Sequence, residues 1–582
     1  MTPSHRIRQH LSVRRESSPG QRPHSDTCVF FCRSSRFLAA VGKAGLLVFL
    51  SLVAIARFPF QPLLPSAFAA PTDWRQVNED GFGHPATDSG TELVVFGEGL
   101  YARNEDGLFR MEDPDARQWQ EVTTPAAPGS SALSALDGFL YLWNDGKLWF
   151  ARARDPLTVP GSWQPVTSNG LPGGDSPLPM AVFQCHVYGV TGGGSEPFAI
   201  WRSPDLGRTA MQWQAVVTNS FDDPGNNKDI DFLGIFNGRL VAGTQTLKGV
   251  FGDPQASASG GVEIWESETG SPGSWTQVNE DGFGTELIQT GTGLKLYTNQ
   301  VIGSWSVYAG YLYVGTKSHF GAEVWRYDGT GQGGWVNVTP PWAGPGPFGG
   351  PGRNESMAVL RDDLYLAEGF PTANLAKYDG RDWSIEVDGP NPFAPENGGL
   401  LSLADFQGSL SVSTLHAPYS GITRGDQVWA YTPPPSGGGT FGLARPDLVV
   451  ESLEATGPAA INAEGSVEVP ARVVVRNSGS DTADIFKTGM EFSGPDGIYA
   501  VAFTVPGQEN IWYPYTSQPL AAGDEVTFEG KVTFHPEDHG ITVALYAVAD
   551  SCSGDEFKPA SCRVEERDET NNTSVPICVA LP

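Results

Sequence analysis

The sequence predicts an all-β chain: seven four-stranded repeats in a ring closed by a strand from its own N-terminus, followed by a smaller β-sandwich. Three observations predict it. The 582 residues hold 71 Gly, 46 Pro and 16 Trp against 6 Met, a composition of short strands and turns rather than long helices. A Trp-x-x-Val motif returns at intervals of 44 to 62 residues between Trp74 and Trp383, about the length of one four-stranded propeller blade. A Pro/Gly-rich stretch then separates these repeats from a last segment of different character. A chain this long exceeds one ordinary hydrophobic core, so at least two domains are expected beyond any leader.

Residues 1–70 read as that leader. Residues 1–36 are Arg-rich, Ala44 to Ala56 form an apolar run broken only by Gly45 and Ser51, and Ala67-Phe68-Ala69 supplies small residues around a cleavage point. The order of charge, apolar run and small residues is that of a secretory signal, with a mature start near Ala70. The alternative is an uncleaved membrane anchor, because Phe37 to Ala56 is interrupted only by Lys43.

The ring is expected over residues 71–432. Its clearest unit is Tyr311-Leu-Tyr-Val-Gly-Thr316, Gly321-Ala-Glu-Val-Trp-Arg326, a Gly-rich turn and Trp335-Val-Asn-Val338, preceded by the alternating strand Trp305 to Ala309. The closing motif recurs at Trp74/Val77, Trp119/Val122, Trp163/Val166, Trp213/Val216 and Trp275/Val278, and loosely at Trp383/Val387. Trp74 has no preceding strands, whereas the last unit, Leu400 to Tyr431, lacks a closing motif. Joined, the two fragments make a seventh blade, which removes the free sheet edge that would invite aggregation.

Residues 433–445, beginning Pro433-Pro-Pro-Ser-Gly-Gly-Gly439, form a linker that is stiff and then flexible. Beyond it, alternating runs at Val467 to Val475, Glu525 to Phe534 and Ile541 to Val548 predict a β-sandwich of about 130 residues over 446–582.

Charge and cysteines narrow the setting. The first 70 residues hold nine Lys/Arg and two Asp/Glu, leaving 28 basic against 64 acidic residues in the remainder. Such a surface repels phosphate backbones and anionic headgroups, so nucleic acid is not an expected partner, and membrane contact is expected only through a retained leader. Cys552 and Cys562, ten apart, are the expected disulfide in an oxidising compartment. Cys185, in an apolar run, reads as a buried thiol, and Cys578 is left unassigned.

Ser203-Pro-Asp-Leu-Gly-Arg-Thr209 ahead of Trp213 is similar to the Asp-box of sialidase-like blades, with more degenerate copies at Ser267-Glu-Thr-Gly270 and Asp328-Gly-Thr330. The propeller region thus resembles exported bacterial propellers of the sialidase and kelch type, a resemblance that bears on fold and not on activity. Arg445-Pro-Asp-Leu-Val-Val450, Val473-Val-Val-Arg-Asn-Ser-Gly479 and Val564-Glu-Glu-Arg-Asp-Glu-Thr-Asn-Asn572 resemble CARDB, the cell-adhesion-related domain found in bacteria. That resemblance implies an immunoglobulin-like fold and a surface or adhesion role.

Chemistry is sparsely signalled. The Arg-Ile-Pro signature of sialidases is absent, as is Gly-x-Ser-x-Gly, and in His535-Pro-Glu-Asp-His539 the residues Pro536 and Gly540 put the two histidines in a turn rather than on a zinc-binding helix. The most notable polar pattern is the duplicated connector Val77-Asn-Glu-Asp-Gly-Phe-Gly83 and Val278-Asn-Glu-Asp-Gly-Phe-Gly284, with Asp222 to Asp231 as a third acidic connector. Connectors leaving the fourth strand share one face of the ring with the loops between second and third strands. Asp80, Asp281, Asp223 and Asp231 are therefore the candidate ligands for Ca2+, the one cofactor this pattern suits. The alternative is that Asn, Asp and Gly simply form turns.

The function expected is that of a secreted or cell-surface binding or adhesion protein of bacterial envelope type, without catalytic residues, whose ligand is an extracellular glycan or protein. A glycan-active propeller enzyme and a structural platform in a surface assembly are the alternatives.

Overall fold

The computed structural model describes residues 74–582 apart from internal stretches, the longest being 247–259, 343–351, 417–424, 433–444 and 551–563. The leader, nearly all of the linker, and Cys552 and Cys562 lie outside the described residues.

Alternating apolar runs separated by Gly-containing turns produce four-stranded antiparallel blades, each wound outward from an inner strand. The inner strands of blades one to seven are Glu92–Phe96, Ser131–Leu136, Leu178–Phe183, Asp229–Phe236, Val301–Tyr308, Gly352–Leu360 and Asn397–Phe406. The seventh blade is completed by the first described strand of the chain. Arg75–Gln76 pairs antiparallel with Val428–Tyr431, Arg75 opposite Ala430 and Gln76 opposite Trp429, and the Val77 amide donates to the Val428 carbonyl at 2.8 Å. The expected seven-bladed ring, closed by its N-terminal strand, is present.

The core lies between blades. Val77, Leu93, Phe109, Phe406 and Val428 pack together from the seventh and first blades, as do Phe232, Val262, Leu312 and Val314 from the fourth and fifth. Such shared faces bind the ring because no blade buries its apolar surface alone. Among the described residues, two added strand pairs lengthen the repeat. A short parallel pair, Thr167–Asn169 with Ala210–Gln212, widens the third blade, and a hairpin of Glu286–Ile288 with Lys295–Tyr297 follows the connector after the fourth.

The C-terminal domain is built of β-strands, as expected. Its eight strands form one nearly closed, barrel-like sheet in the order Leu448–Ala455, Val467–Asn477, Glu525–Phe534, Gly497–Thr504, Thr488–Gly494, Thr542–Ala549 and Ile577–Ala580, with Ala460–Ile461 paired to the second of these. The strand Gly497–Thr504 is the cause. Its first half pairs with Thr488–Gly494 and its second with Glu525–Phe534, so it carries the hydrogen-bond ladder around the corner between layers. Val467, Val469, Ala471, Val473 and Val475 alternate inward against Phe486, Met490, Phe503 and Leu545.

Cys185, expected as a buried thiol, is buried but forms a disulfide with Cys578, 393 residues away. It sits in the turn between the strands Leu178–Phe183 and His186–Gly193 of the third blade, and Cys578 in the last strand of the C-terminal domain. The bond staples the second domain to the ring. No helix among the described residues is long and apolar enough to cross a membrane.

Candidate functional site

The repeated tryptophan flanks or opens the outermost strand of each blade, and its role is visible at the junctions. The indole N–H of Trp119 donates to the Val77 carbonyl at 3.0 Å, that of Trp335 to Val278 at 2.7 Å and that of Trp383 to Val338 at 2.6 Å. Each indole thus reaches the valine of the preceding blade's Trp-x-x-Val. At these three junctions one copy of the motif supplies the donor and the preceding copy the acceptor, whereas Trp213 donates to the Ser168 hydroxyl at 3.2 Å and the buried indole N–H groups of Trp74, Trp163 and Trp275 make no hydrogen bond among the described residues.

The duplicated connector fills the gap behind that bond. Asn78 accepts from the Val428 amide at 2.7 Å and donates to the Asp426 carbonyl at 3.0 Å, while Asn279 makes the matching pair with Ile264 and Val262 at 2.6 and 3.1 Å. These amides extend the edge of a third strand. The chain then enters the left-handed region at Gly81 and Phe82, and again at Gly282 and Phe283. The rings that follow are wedges: Phe82 stacks on Phe109 at 4.4 Å, and Phe283 on Trp325 at 4.7 Å.

A third wedge escaped the sequence comparison. Asn219–Asp222 adopts the same turn with left-handed Ser220 and Phe221, and Phe221 stacks on Trp265 at 4.3 Å. Only the Phe is common to the three sequences. The signal that finds it is the position of the Phe, since Phe82, Phe221 and Phe283 each follow a repeat tryptophan, Trp74, Trp213 and Trp275, at the same spacing.

The four candidate aspartates occupy distinct positions. Asp80 accepts from Gln76 and Gln427 at 2.8 and 3.0 Å, and Asp281 from Gln277 at 2.9 Å. Their connectors join the seventh to the first blade and the fourth to the fifth, so the two stand on opposite sides of the ring. Asp223 is held by Asn226, side chain to side chain at 3.0 Å. It and Asp281 both act on Glu263, which burial chiefly holds above the ordinary carboxylate range against bonds from Asn227 and Trp265. Among the described residues, no group of three or more His, Cys, Asp and Glu side chains is arranged to hold a metal ion.

Asp231 lies elsewhere, in a bulge of the fourth blade's inner strand, where it accepts from the Ile302 amide of the fifth blade at 2.7 Å. Burial pushes it up to about 8, with neighbouring Asp229 adding, against the Ile302 bond and the charge of Lys317. Glu355 occupies the equivalent bulge of the sixth blade and pairs with Lys317. Sequence reasoning missed Glu355 and Lys317, since a bulge leaves no mark on an alternating pattern.

The carboxyl-bearing loops also anchor indoles. Glu263 accepts from Trp265 at 2.9 Å and Glu323 from Trp325 at 3.0 Å, with Asn227 and Asn299 as their amide partners. At the end of the C-terminal domain, the three segments that carry its sequence resemblance meet. Asn477 accepts from the Asp447 amide at 3.1 Å, the Leu448 amide donates to Glu566, and Asn572 donates to Glu566 at 2.7 Å.

No known family matches the chain, and no curated protein does. Among solved structures, the WD40 domain of Pan2 from Neurospora crassa is 9% identical over 63% of this chain and 97% of that one, with a TM-score of 0.38. Regucalcin, a calcium-binding protein from Agrobacterium tumefaciens, is 11% identical over 61% and 92%, with a TM-score of 0.31. PorZ, a bacterial surface component of the type-IX secretion system of Porphyromonas gingivalis, is 14% identical over 85% and 63%, with a TM-score of 0.21. None of these carries an argument about function, and the fold rests on the strand pairing described above.

Proposed function

We propose that this is an exported binding protein of the bacterial cell surface, whose propeller presents the ligand-binding surface and whose C-terminal domain is an immunoglobulin-like, CARDB-type adhesion or spacer module. The observation that carries the reading is the Cys185–Cys578 bond. Disulfides persist in oxidising compartments, and this one joins two modules into a single body suited to holding a binding face in a fixed orientation. The acidic excess outside the leader supports it by disfavouring nucleic-acid and anionic-lipid partners. Much of the polar side-chain chemistry on the connector face is taken up in holding indoles and strand edges.

Fractionation of cells producing the full chain tests the reading. Surface or culture-medium protein that begins near Ala70 and carries the intact disulfide is the expected result. Cytosolic full-length protein with free thiols at Cys185 and Cys578 would contradict it.

A further inference from the structure

The junction between the seventh and first blades differs from its sequence twin. At the fourth-to-fifth junction the wedge Phe283 stacks on an indole, Trp325, and Phe221 does the same on Trp265. At the first blade the ring on which the wedge Phe82 stacks is the smaller phenyl of Phe109. This junction therefore has one ring fewer to fill it. A cleft of about 520 Å3 opens there, bounded by Phe82, Phe109 and Trp119, within the range of about 300–1,000 Å3 found for ligand clefts.

We propose that this cleft is a saccharide-binding site, with Phe82 and Trp119 as its aromatic floor. The inference rests on the reading of the molecule as a binding protein and names a site and ligand class for it.

The floor is rigid. Phe82 is stacked on Phe109 and lies edge-on to Trp119 at 5.1 Å, and the Trp119 N–H is fixed on the Val77 carbonyl at 3.0 Å. Ordering cost on binding is therefore small. Around it stand Glu79, His84, Arg117, Gln120 and Glu121, all exposed. This rim mixes planar donors and acceptors, with one arginine against two glutamates. An apolar ligand would find few matching walls there, and a phosphorylated one would face a carboxylate excess. A neutral sugar fits both parts: the C–H face of its ring lies on an aromatic ring, and its hydroxyls both donate to and accept from the rim. The exclusion of anionic ligands agrees with the acidic excess of the chain beyond its leader.

The test uses the full exported chain and neutral oligosaccharides built from glucose, mannose, xylose or N-acetylglucosamine. Binding is read by saturation-transfer NMR and by titration calorimetry. At least one oligosaccharide should bind, with a change in tryptophan fluorescence. Phe109→Trp, which installs the ring found at the sibling junctions, should weaken it tenfold or more without lowering the melting temperature. Arg117→Ala, at an exposed position, should weaken it several-fold and serves if Phe109→Trp folds poorly. Binding unchanged in both variants would place the sugar elsewhere and overturn this site while leaving the binding-protein reading intact. Absence of binding across the panel at millimolar concentration would overturn the saccharide assignment, whereas the cell fractionation above judges the broader reading separately.

Discussion

Phe82, Phe221 and Phe283 hold backbone angles that non-glycine residues avoid, with φ of 55°, 57° and 58°. A bulky residue in the left-handed region costs about 1–3 kcal/mol, so three repetitions require a compensating gain. The stacked indole or phenyl ring beside each one supplies it, through ring burial and an aromatic pair worth about 0.5–1.5 kcal/mol. Phe283→Ala should therefore destabilise the propeller by about 3 kcal/mol, read as a lowered calorimetric melting temperature. The backbone facing the wedge turn is constrained by close approach as well. A Cβ on Gly261 would stand 2.2 Å from the Gly282 nitrogen, whereas one on Gly333 would meet nothing within 4 Å. Gly261→Ala should cost about 1–3 kcal/mol and Gly333→Ala far less; equal losses would show that the contact does not limit packing. Asp231 gives a pH signature. It releases its proton near 3.8 in the unfolded chain and at about 8 in the native one, so its contribution to stability is complete below the lower value and is lost as pH rises through the upper. Asp231→Asn retains an oxygen for the Ile302 amide without acquiring charge. The variant should melt above the parent at alkaline pH and show a flatter profile; parallel profiles would mean that Asp231 is ionised in the native state.

At the scale of strands, the two-residue segment Arg75–Gln76 has an effect out of proportion to its length. Deleting Pro71 to Asn78 removes the pairing with Ala430 and Trp429 and the Val77 bond to Val428, which leaves the seventh blade with a free edge. The deletion should melt earlier and associate at concentrations where the parent is monomeric, as light scattering would show; a melting temperature equal to the parent's would contradict closure. This closure was legible because an orphan Trp-x-x-Val and an incomplete last unit are visible as text. The inner-strand bulges were not, because one extra residue displaces the ladder without altering the run of apolar residues around Asp231 or Glu355. Nor was the barrel-like C-terminal sheet, since alternation at Val467 to Val475 shows that one face is buried but not which partner covers it, and the turn of Gly497–Thr504 from one layer to the other depends on pairing alone. The connectors were legible as repeats, but the wedges in them were not, because the packing of Phe82 and Phe283 against the next blade depends on a left-handed turn that the sequence does not display.

Across the whole molecule, the feature that decides its character is a bond between residues 393 apart. Spacing made Cys552 and Cys562 the natural pair, whereas the contact of Cys185 with Cys578 exists only once both domains are folded and placed. The account of an exported two-module body depends on it. Protein purified without reductant, with free thiols blocked before digestion, should yield by mass spectrometry a linked peptide containing Cys185 and Cys578, which separates on reduction. Recovery of both cysteines as blocked free thiols, or of either one joined to another cysteine, would contradict the account.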